Sequence, residues 1–318
     1  MKKVGIIGVG KYLPKKILTN ADLEKIVDTS DEWITSRTGI KERRLAEKNE
    51  ATSDLALKAA REAISDANLK PPDIDLIIVA TITPDMQFPS VASILQRELG
   101  IKDAACFDIS AACAGFVYGL SIAHQFIARG SYKNALVIGA EKLSSITDWQ
   151  DRNTCVLFGD GAGAAIVSEV KSGGILATHL GSDGTKADLL KLPGGGSRNP
   201  ASQKTFDERQ HYLKMEGNEI FKLAVTIMAE AAQIALKKAG LECGDIDLVI
   251  PHQGNIRIIL AMAKKLKLPI EKIYLNIERY GNMSSASTAT ALCEAVKEGK
   301  VKKGDVAQKG SRWFVKVL

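Results

Sequence analysis

The chain has 318 residues, 45% of them hydrophobic, enough for a large buried core in one large domain or two fused ones. Charged residues make up an ordinary 25%, and the net charge of +6 is not gathered into a long basic run, which argues against an extended nucleic-acid-binding surface and fits a local basic patch facing an acidic partner. No run of about 18 apolar residues is present, so no membrane span is expected; five scattered cysteines without a CxxC pair argue against disulfides and structural zinc and point to the reducing cytoplasm.

The opening MKKVGIIGVG reads as a first β-strand, because Gly8, Gly10 and Lys11 interrupt the apolar run before it reaches the length of a signal-peptide core. Gly8-Val9-Gly10 is similar to the start of a dinucleotide fingerprint, but Leu13 stands where the third glycine belongs. A charged helical stretch carrying Trp33 and Arg37 comes next, then an alanine-rich helix ending at Leu69 and the strand DIDLIIV at 73–79. A strand near Cys106–Ile109 enters SAACAGF at 110–116 and a helix near Ala114–Arg129, in which His124 reads as structural. GDGAG at 159–163 reads as a turn into the strand Ala164–Ser168. GGG at 194–196 lacks the following Lys-Ser or Lys-Thr of a phosphate cradle and reads as a flexible loop. A second alanine-rich helix ends at Leu241 and precedes DIDLVI at 245–250, Pro251, His252 and Gln253. A helix bearing Arg257 and Lys264, a strand near Ile273–Ile277, GNMSSAS at 281–287 and a helix near Ala286–Lys297 complete the pattern.

Strands alternating with helices argue for an α/β fold with a largely parallel sheet. The two DIDL segments begin at Asp73 and Asp245, 172 residues apart, and the units that follow repeat in the same order. Two similar halves result, divided near Lys171–Gly174: residues 1–171 hold the candidate nucleophile, residues 172–318 the candidate His and Asn. Ligands of open α/β sheets bind beyond the carboxyl ends of strands, and the loops there carry Cys113, His252 and Asn282.

Cys113 lies between a strand and a helix, whose N-terminus favours thiolate over thiol, and its alanine and glycine neighbours leave room for an acyl group. His252 follows an apolar strand directly. Asn282 lies in the loop that corresponds to that of Cys113 in the other half. Cys, His and Asn serve two chemistries. In a cysteine hydrolase His deprotonates the thiol, Asn orients His, and water completes the cycle. In a condensing enzyme Cys holds an acyl thioester while His and Asn donate to a second thioester carbonyl as it becomes an enolate. No charged side chain adjoins Cys113 or Asn282 in sequence, which fits a dry, neutral site.

At this point several motifs together resemble one family. They are DTSDEWITSRTGIKERR at 28–44, ACAGF at 112–116, DWQDRNTCVLFGDGAGAA at 148–165, MEGNEIFK at 215–222, HQGNIRI at 252–258 and YGNMSSAS at 280–287. The chain is similar from about residue 4 to residue 305 to the β-ketoacyl-[acyl-carrier-protein] synthases III, thiolase-fold condensing enzymes. The resemblance implies a thiolase-like duplicated α-β-α-β-α five-layer sandwich with two five-stranded sheets, and a homodimer. It implies an acyl group taken from acetyl- or another short acyl-coenzyme A onto Cys113, and decarboxylation of malonyl-acyl-carrier protein promoted by His252 and Asn282. Phe88 would reach the partner's acyl pocket. Trp33 and Arg152 would sandwich the adenine of coenzyme A, Arg37 would meet its phosphates, and Gly217 and Asn255 would line the pantetheine tunnel. Coenzyme A is then a substrate, and neither cofactor nor metal is implied. Lys222, Arg257, Lys264 and Lys265 form a patch suited to the acidic carrier protein. The sequence departs from the family after Asp305: VAQKGSRWFVKVL from Val306 replaces a strand and a glycine-rich run that would offer an oxyanion N–H. Gly310 alone does not fill that role, and the abrupt break points to a shifted reading frame.

Overall fold

The computed structural model describes residues 2–301. The tail from Val306, Gly310 included, lies outside the described residues. The strands of four or more residues are β1 (Val4–Tyr12), β2 (Lys16–Thr19), β3 (Glu42–Leu45), β4 (Leu76–Ala80), β5 (Ala105–Ile109), β6 (Asn134–Lys142) and β7 (Asp160–Glu169). The helices of eight or more residues are α1 (Asp31–Thr38), α2 (Thr52–Asp66), α3 (Val91–Glu98), α4 (Gly115–Ala128), α5 (Gly217–Ala239), α6 (Ile256–Lys265) and α7 (Ser285–Lys297).

Five strands form one sheet in the order β1-β7-β6-β4-β5, and β2 pairs with β3 in a hairpin. β4 runs parallel to β5 and β6, whereas β7 runs antiparallel to β1 and β6, so the sheet is mixed rather than largely parallel. β4 reads LIIVA and is buried along its whole length, as a strand covered on both faces must be. Leu55, Ala59 and Ala63 of α2 and Leu95 of α3 cover one face with Ile77 and Val79. Phe116 and Leu120 of α4, with Ala289 and Leu292 of α7, cover the other with Leu76 and Ile78.

The core beyond α4 and α7 continues through Ile250 and Tyr274. Their neighbours Val249 and Ile273 point the opposite way, into a separate core with Ala232 and Leu236 of α5 and Ile259 and Met262 of α6. This alternation is that of extended segments, and it sets out five layers: α2 and α3, the sheet, α4 and α7, the segments at 249–250 and 273–274, then α5 and α6. Within the fourth layer the described residues supply a single parallel bridge, Val249 to Ile273, with Val249 N–H donating to Lys272 O at 2.7 Å and Tyr274 N–H to Val249 O at 2.9 Å. The strands expected at Ile246–Ile250 and Ile273–Ile277 shrink to this bridge, and Ile277–Tyr280 is a short helical turn. GDGAG is also not a turn: from Asp160 onward it lies in β7. A Cβ on Gly161 would stand 2.7 Å from Met283 Sδ and one on Gly163 2.5 Å from the Ala289 backbone, so these glycines let α7 lie directly on the sheet.

Candidate active site

Cys113 sits in a 3-10 turn, Ala112–Ala114, between β5 and α4. Ala112 has φ +43°, a strained conformation for a residue with a Cβ. The entrance to α7 repeats the feature: Ser284 has φ +47° and lies 172 residues after Ala112, the spacing of the DIDL pair. The two helix entrances meet, since a Cβ on Gly115 would stand 2.8 Å from Ala80 Cβ and 3.6 Å from Ser285 Cβ.

A chain of contacts links the three candidates. The Ser284 hydroxyl lies beside the Cys113 thiol. Ser284 N–H donates to Asn282 Oδ1 at 2.8 Å, which turns the Asn282 Nδ2 donor outward. The position of a Cβ on Gly254 is 3.6 Å from that Nδ2 and 2.8 Å from His252 Nε2. Asn282 is itself clamped, its N–H donating to Leu157 O at 2.9 Å and its carbonyl accepting from Gly159 N–H at 3.0 Å. Buried Gln253 fixes the end of the His252 segment: Nε2 donates to Pro251 O and Tyr274 O, both at 3.0 Å, and Oε1 accepts Asn276 N–H at 3.0 Å.

Burial pushes the His252 imidazole down to about 4, so it is neutral at working pH. Its Nδ1 is buried without a partner among the described residues, leaving Nε2, beside Gly254, as the nitrogen that can donate into the cleft. The expectation for Cys113 reverses in the resting protein. Burial pushes its thiol up to about 11; the Ser284 hydroxyl opposes this, and the Glu141 carboxylate adds to it. Desolvation outweighs the helix terminus. Nor is the site free of titratable side chains. Glu141 is fully buried at the end of β6, beside Ser284 and Ser285. The sequence neighbours of Cys113 conceal it; the visible signal is one carboxylate closing the apolar run ALVIGA at 135–140.

Trp33 and Arg152 meet, with the guanidinium 4.2 Å from the ring centroid, and Arg37 stands 5.7 Å from the same ring. At 4.2 Å the faces already touch, so a base between them must displace Arg152. Asn255 caps α6, its Oδ1 accepting Arg257 N–H at 2.9 Å, and its Nδ2 donates to Arg37 O at 3.1 Å. That tie fastens α6 to α1. Gly217 opens α5 on the surface. Phe88 is 85% exposed at the rim of a cavity of about 740 Å³ that Ile82, Phe107, Ala112, Leu192 and Leu213 help to line. Arg257 stacks on Phe221 at 5.4 Å, next to Lys222, and Lys264 and Lys265 lie exposed in the last turn of α6. Lys222 pairs with Glu219 at 2.8 Å. Arg257, Lys264 and Lys265 form no ion pair with another described residue.

Known proteins resemble this chain in sequence and in fold. The profile described as 3-oxoacyl-[acyl-carrier-protein] synthase III matches residues 107–184, and its C-terminal counterpart matches residues 236–308. The beta-ketoacyl-[acyl-carrier-protein] synthase III of Caldanaerobacter subterraneus is 60% identical over 303 residues, 95% of this chain and 92% of that protein. The crystal structure of 3-oxoacyl-[acyl-carrier-protein] synthase III from Aquifex aeolicus superposes with a TM-score of 0.87 at 53% identity, covering 95% of this chain and 93% of that one. The corresponding enzyme of Thermus thermophilus gives 0.88 at 46% identity, covering 94% and 92%.

Proposed function

The chain belongs to the β-ketoacyl-[acyl-carrier-protein] synthase III family, acyltransferases that initiate fatty-acid synthesis by condensation, and from that membership we propose how its residues divide the reaction. Cys113 attacks the thioester of acetyl- or another short acyl-coenzyme A, forms an acyl-cysteine and releases coenzyme A. Malonyl-acyl-carrier protein then enters. His252 Nε2–H and Asn282 Nδ2–H donate to its thioester carbonyl, negative charge collects on that oxygen as carbon dioxide departs, and the carbanion attacks the acyl-cysteine to give 3-oxoacyl-acyl-carrier protein. The observation that carries this reading is the convergence of Cys113, Ser284, Asn282, Gly254 and His252. Burial pushes the His252 ring down to about 4 and so makes it a weak base for a thiol proton while leaving it an N–H to donate to an enolate, which favours condensation over a cysteine hydrolase.

Coenzyme A binds with its adenine between Trp33 and Arg152, its phosphates near Arg37 and its pantetheine past Asn255 and Gly217; it is a substrate, and the scheme uses no cofactor. Lys222, Arg257, Lys264 and Lys265 dock the carrier protein beside that entrance. The enzyme works as a homodimer in which Phe88 enters the partner's cavity. β5 supports this, because it ends the sheet with its outer edge unpaired among the described residues and lies next to Phe88 in the cavity wall. The halves at 1–171 and 172–318 act as the nucleophile-bearing and donor-bearing units. Five free thiols fit the cytoplasm.

The deciding experiment is intact mass spectrometry after incubation with acetyl-coenzyme A. The expected result is a gain of one acetyl group, about 42 Da, that disappears in Cys113→Ala, followed by loss of the adduct and appearance of 3-oxobutyryl product when malonyl-acyl-carrier protein is added. Absence of any acyl adduct from acetyl- or longer acyl-coenzyme A overturns the assignment.

A further inference from the structure

The two proposed enolate donors come from separate segments, His252 directly after Pro251 and Asn282 shortly after the helical turn Ile277–Tyr280. Both must reach one oxygen at about 3 Å, so one segment has to be fixed against the other. The hydrogen bonds of the fold lead from both segments to a single carboxylate, Glu294, buried on α7. Four donors converge on it. Its Oε1 accepts from Tyr280 Oη at 2.7 Å and from Lys11 Nζ, and its Oε2 accepts from Asn276 Nδ2 at 2.9 Å and from Arg279 Nη2 at 3.0 Å. A carboxylate offers about four acceptor sites, which these donors match. Burial works against the charge of Glu294, but the bonds from Lys11, Asn276 and Tyr280 outweigh it and hold the carboxyl below its ordinary range.

Each side of this network ends at a donor. Asn276 N–H donates to Gln253 Oε1 at 3.0 Å, and Gln253 Nε2 donates to Pro251 O and Tyr274 O, both at 3.0 Å. The bonds of Gln253 thus hold the backbone on both sides of His252. On the other side Tyr280 stands two residues before Asn282, and Gly281 N–H donates to Ile277 O at 2.9 Å to close the turn between them. Asn276 precedes that turn and Tyr280 ends it, so Glu294 grips it at both ends. Gln253, Asn276 and Tyr280 are buried too, so bulk water does not replace a bond lost here. Glu294 itself lies nine residues along α7 from Ser285, about 13 Å at the helical rise. A buried ion cluster adds little net stability over apolar packing, which leaves the fixing of geometry as its use.

Building on the donor roles of His252 and Asn282, we propose that Glu294 is the positioning residue that sets the two donors against each other, acting on His252 through Asn276 and Gln253 and on Asn282 through Tyr280. It touches neither substrate nor reacting atom. Its carboxylate is required because an amide cannot take its place: in E294Q one acceptor oxygen becomes an NH2 group, which must face either Tyr280 and Lys11 or Asn276 and Arg279, all of them donors. One arm of the network is then released. Y280F is the milder change, since it deletes one hydroxyl, leaves Glu294 three donors and frees only the Asn282 arm.

The test measures acetylation of Cys113 and carbon dioxide release from malonyl-acyl-carrier protein in wild type, E294Q and Y280F, with Y280F also combined with Asn282→Ala and with His252→Ala. In Y280F, kcat for carbon dioxide release is expected to fall about tenfold, because small misplacements of a positioned group carry losses of that order. KM for malonyl-acyl-carrier protein and the acetylation rate are expected to stay within about twofold, as for an interaction made only in the transition state. In the Asn282→Ala background Y280F should cost nothing further, because the donor it positions is gone, whereas beside His252→Ala its full loss should remain. E294Q is expected to lose carbon dioxide release with acetylation retained. An unchanged kcat in Y280F overturns the proposal even if E294Q does not fold. So does an equal loss from Y280F with and without Asn282, since general loosening acts in both backgrounds. Acetylation separates the two levels: no acetyl adduct on wild-type Cys113 sinks the functional reading, whereas an acetylated Cys113 with additive Y280F losses sinks only the role of Glu294.

Discussion

His252 owes its chemistry to burial alone, because no charged partner enters the balance that pushes it down to about 4. An imidazole held neutral can donate one N–H to a developing enolate and has no proton to lose at neutral pH. His252→Ala is therefore expected to keep acetylation of Cys113 and to lose decarboxylation by at least about 100-fold, the scale of removing one oxyanion donor; the check is the acetyl adduct beside release of carbon dioxide. The same burial couples the residue to stability. Its folded value lies below the unfolded value near 6.5, so the unfolded chain takes up the proton first as pH falls, and stability is lost from about 6.5 down towards 4. Urea midpoints are expected to decline more steeply in wild type than in His252→Gln over that window. Equal slopes would falsify the assignment of a buried neutral ring. Glu141 shows the limit of reading residues along a chain: nothing charged adjoins Cys113 in sequence, and only folding brings the end of β6 against the entrance to α7.

Elements hold the site through close approach rather than through strong bonds. Gly254 lies between the His252 segment and α6, where a methyl group would stand 2.8 Å from His252 Nε2 and 2.9 Å from Cδ2. In Gly254→Ala the ring must move, with a stability cost of about 1–3 kcal/mol for overpacking. Acetylation is expected to persist while condensation collapses, measured as acetyl-enzyme that accumulates in the presence of malonyl-acyl-carrier protein. Normal turnover in a folded Gly254→Ala would show that the ring is not held as described. The first-half elements were legible because their apolar runs are long and bounded: β4, β5 and α4 fall within a few residues of expectation. The second-half strands were less so. Alternating burial is real at Val249, Ile250, Ile273 and Tyr274, but a strand is defined by ladder bonds, and among the described residues these segments find only one another. GDGAG misled because glycine serves a close approach as readily as a turn.

Across the whole molecule, the repeat matched the loop of Cys113 with the loop of Asn282 in the other half, and in the fold the helix entrances beside these loops meet at Gly115 and Ser285. Composition gave the sign of the docking surface but not its location. In the fold, Arg257 of the proposed surface lies close to Arg37, because Asn255 ties α6 to α1, beside the Trp33–Arg152 pair. Coenzyme A and the carrier protein would then share one entrance, the first recognised by stacking and the second by charge. The two can be separated. Reversing Arg257 and Lys264 to Glu changes an exposed face whose cations form no ion pair with the described residues, so folding is expected to be unaffected within about 0.5 kcal/mol. Acetylation by acetyl-coenzyme A should hold within a few-fold, while kcat/KM for malonyl-acyl-carrier protein should fall at least about tenfold and lose most of its salt dependence. Unchanged kcat/KM and salt dependence would move the carrier-protein site off α6. Equal losses in both half-reactions would instead assign these cations to the shared entrance, where coenzyme A and the carrier protein compete for the same charge.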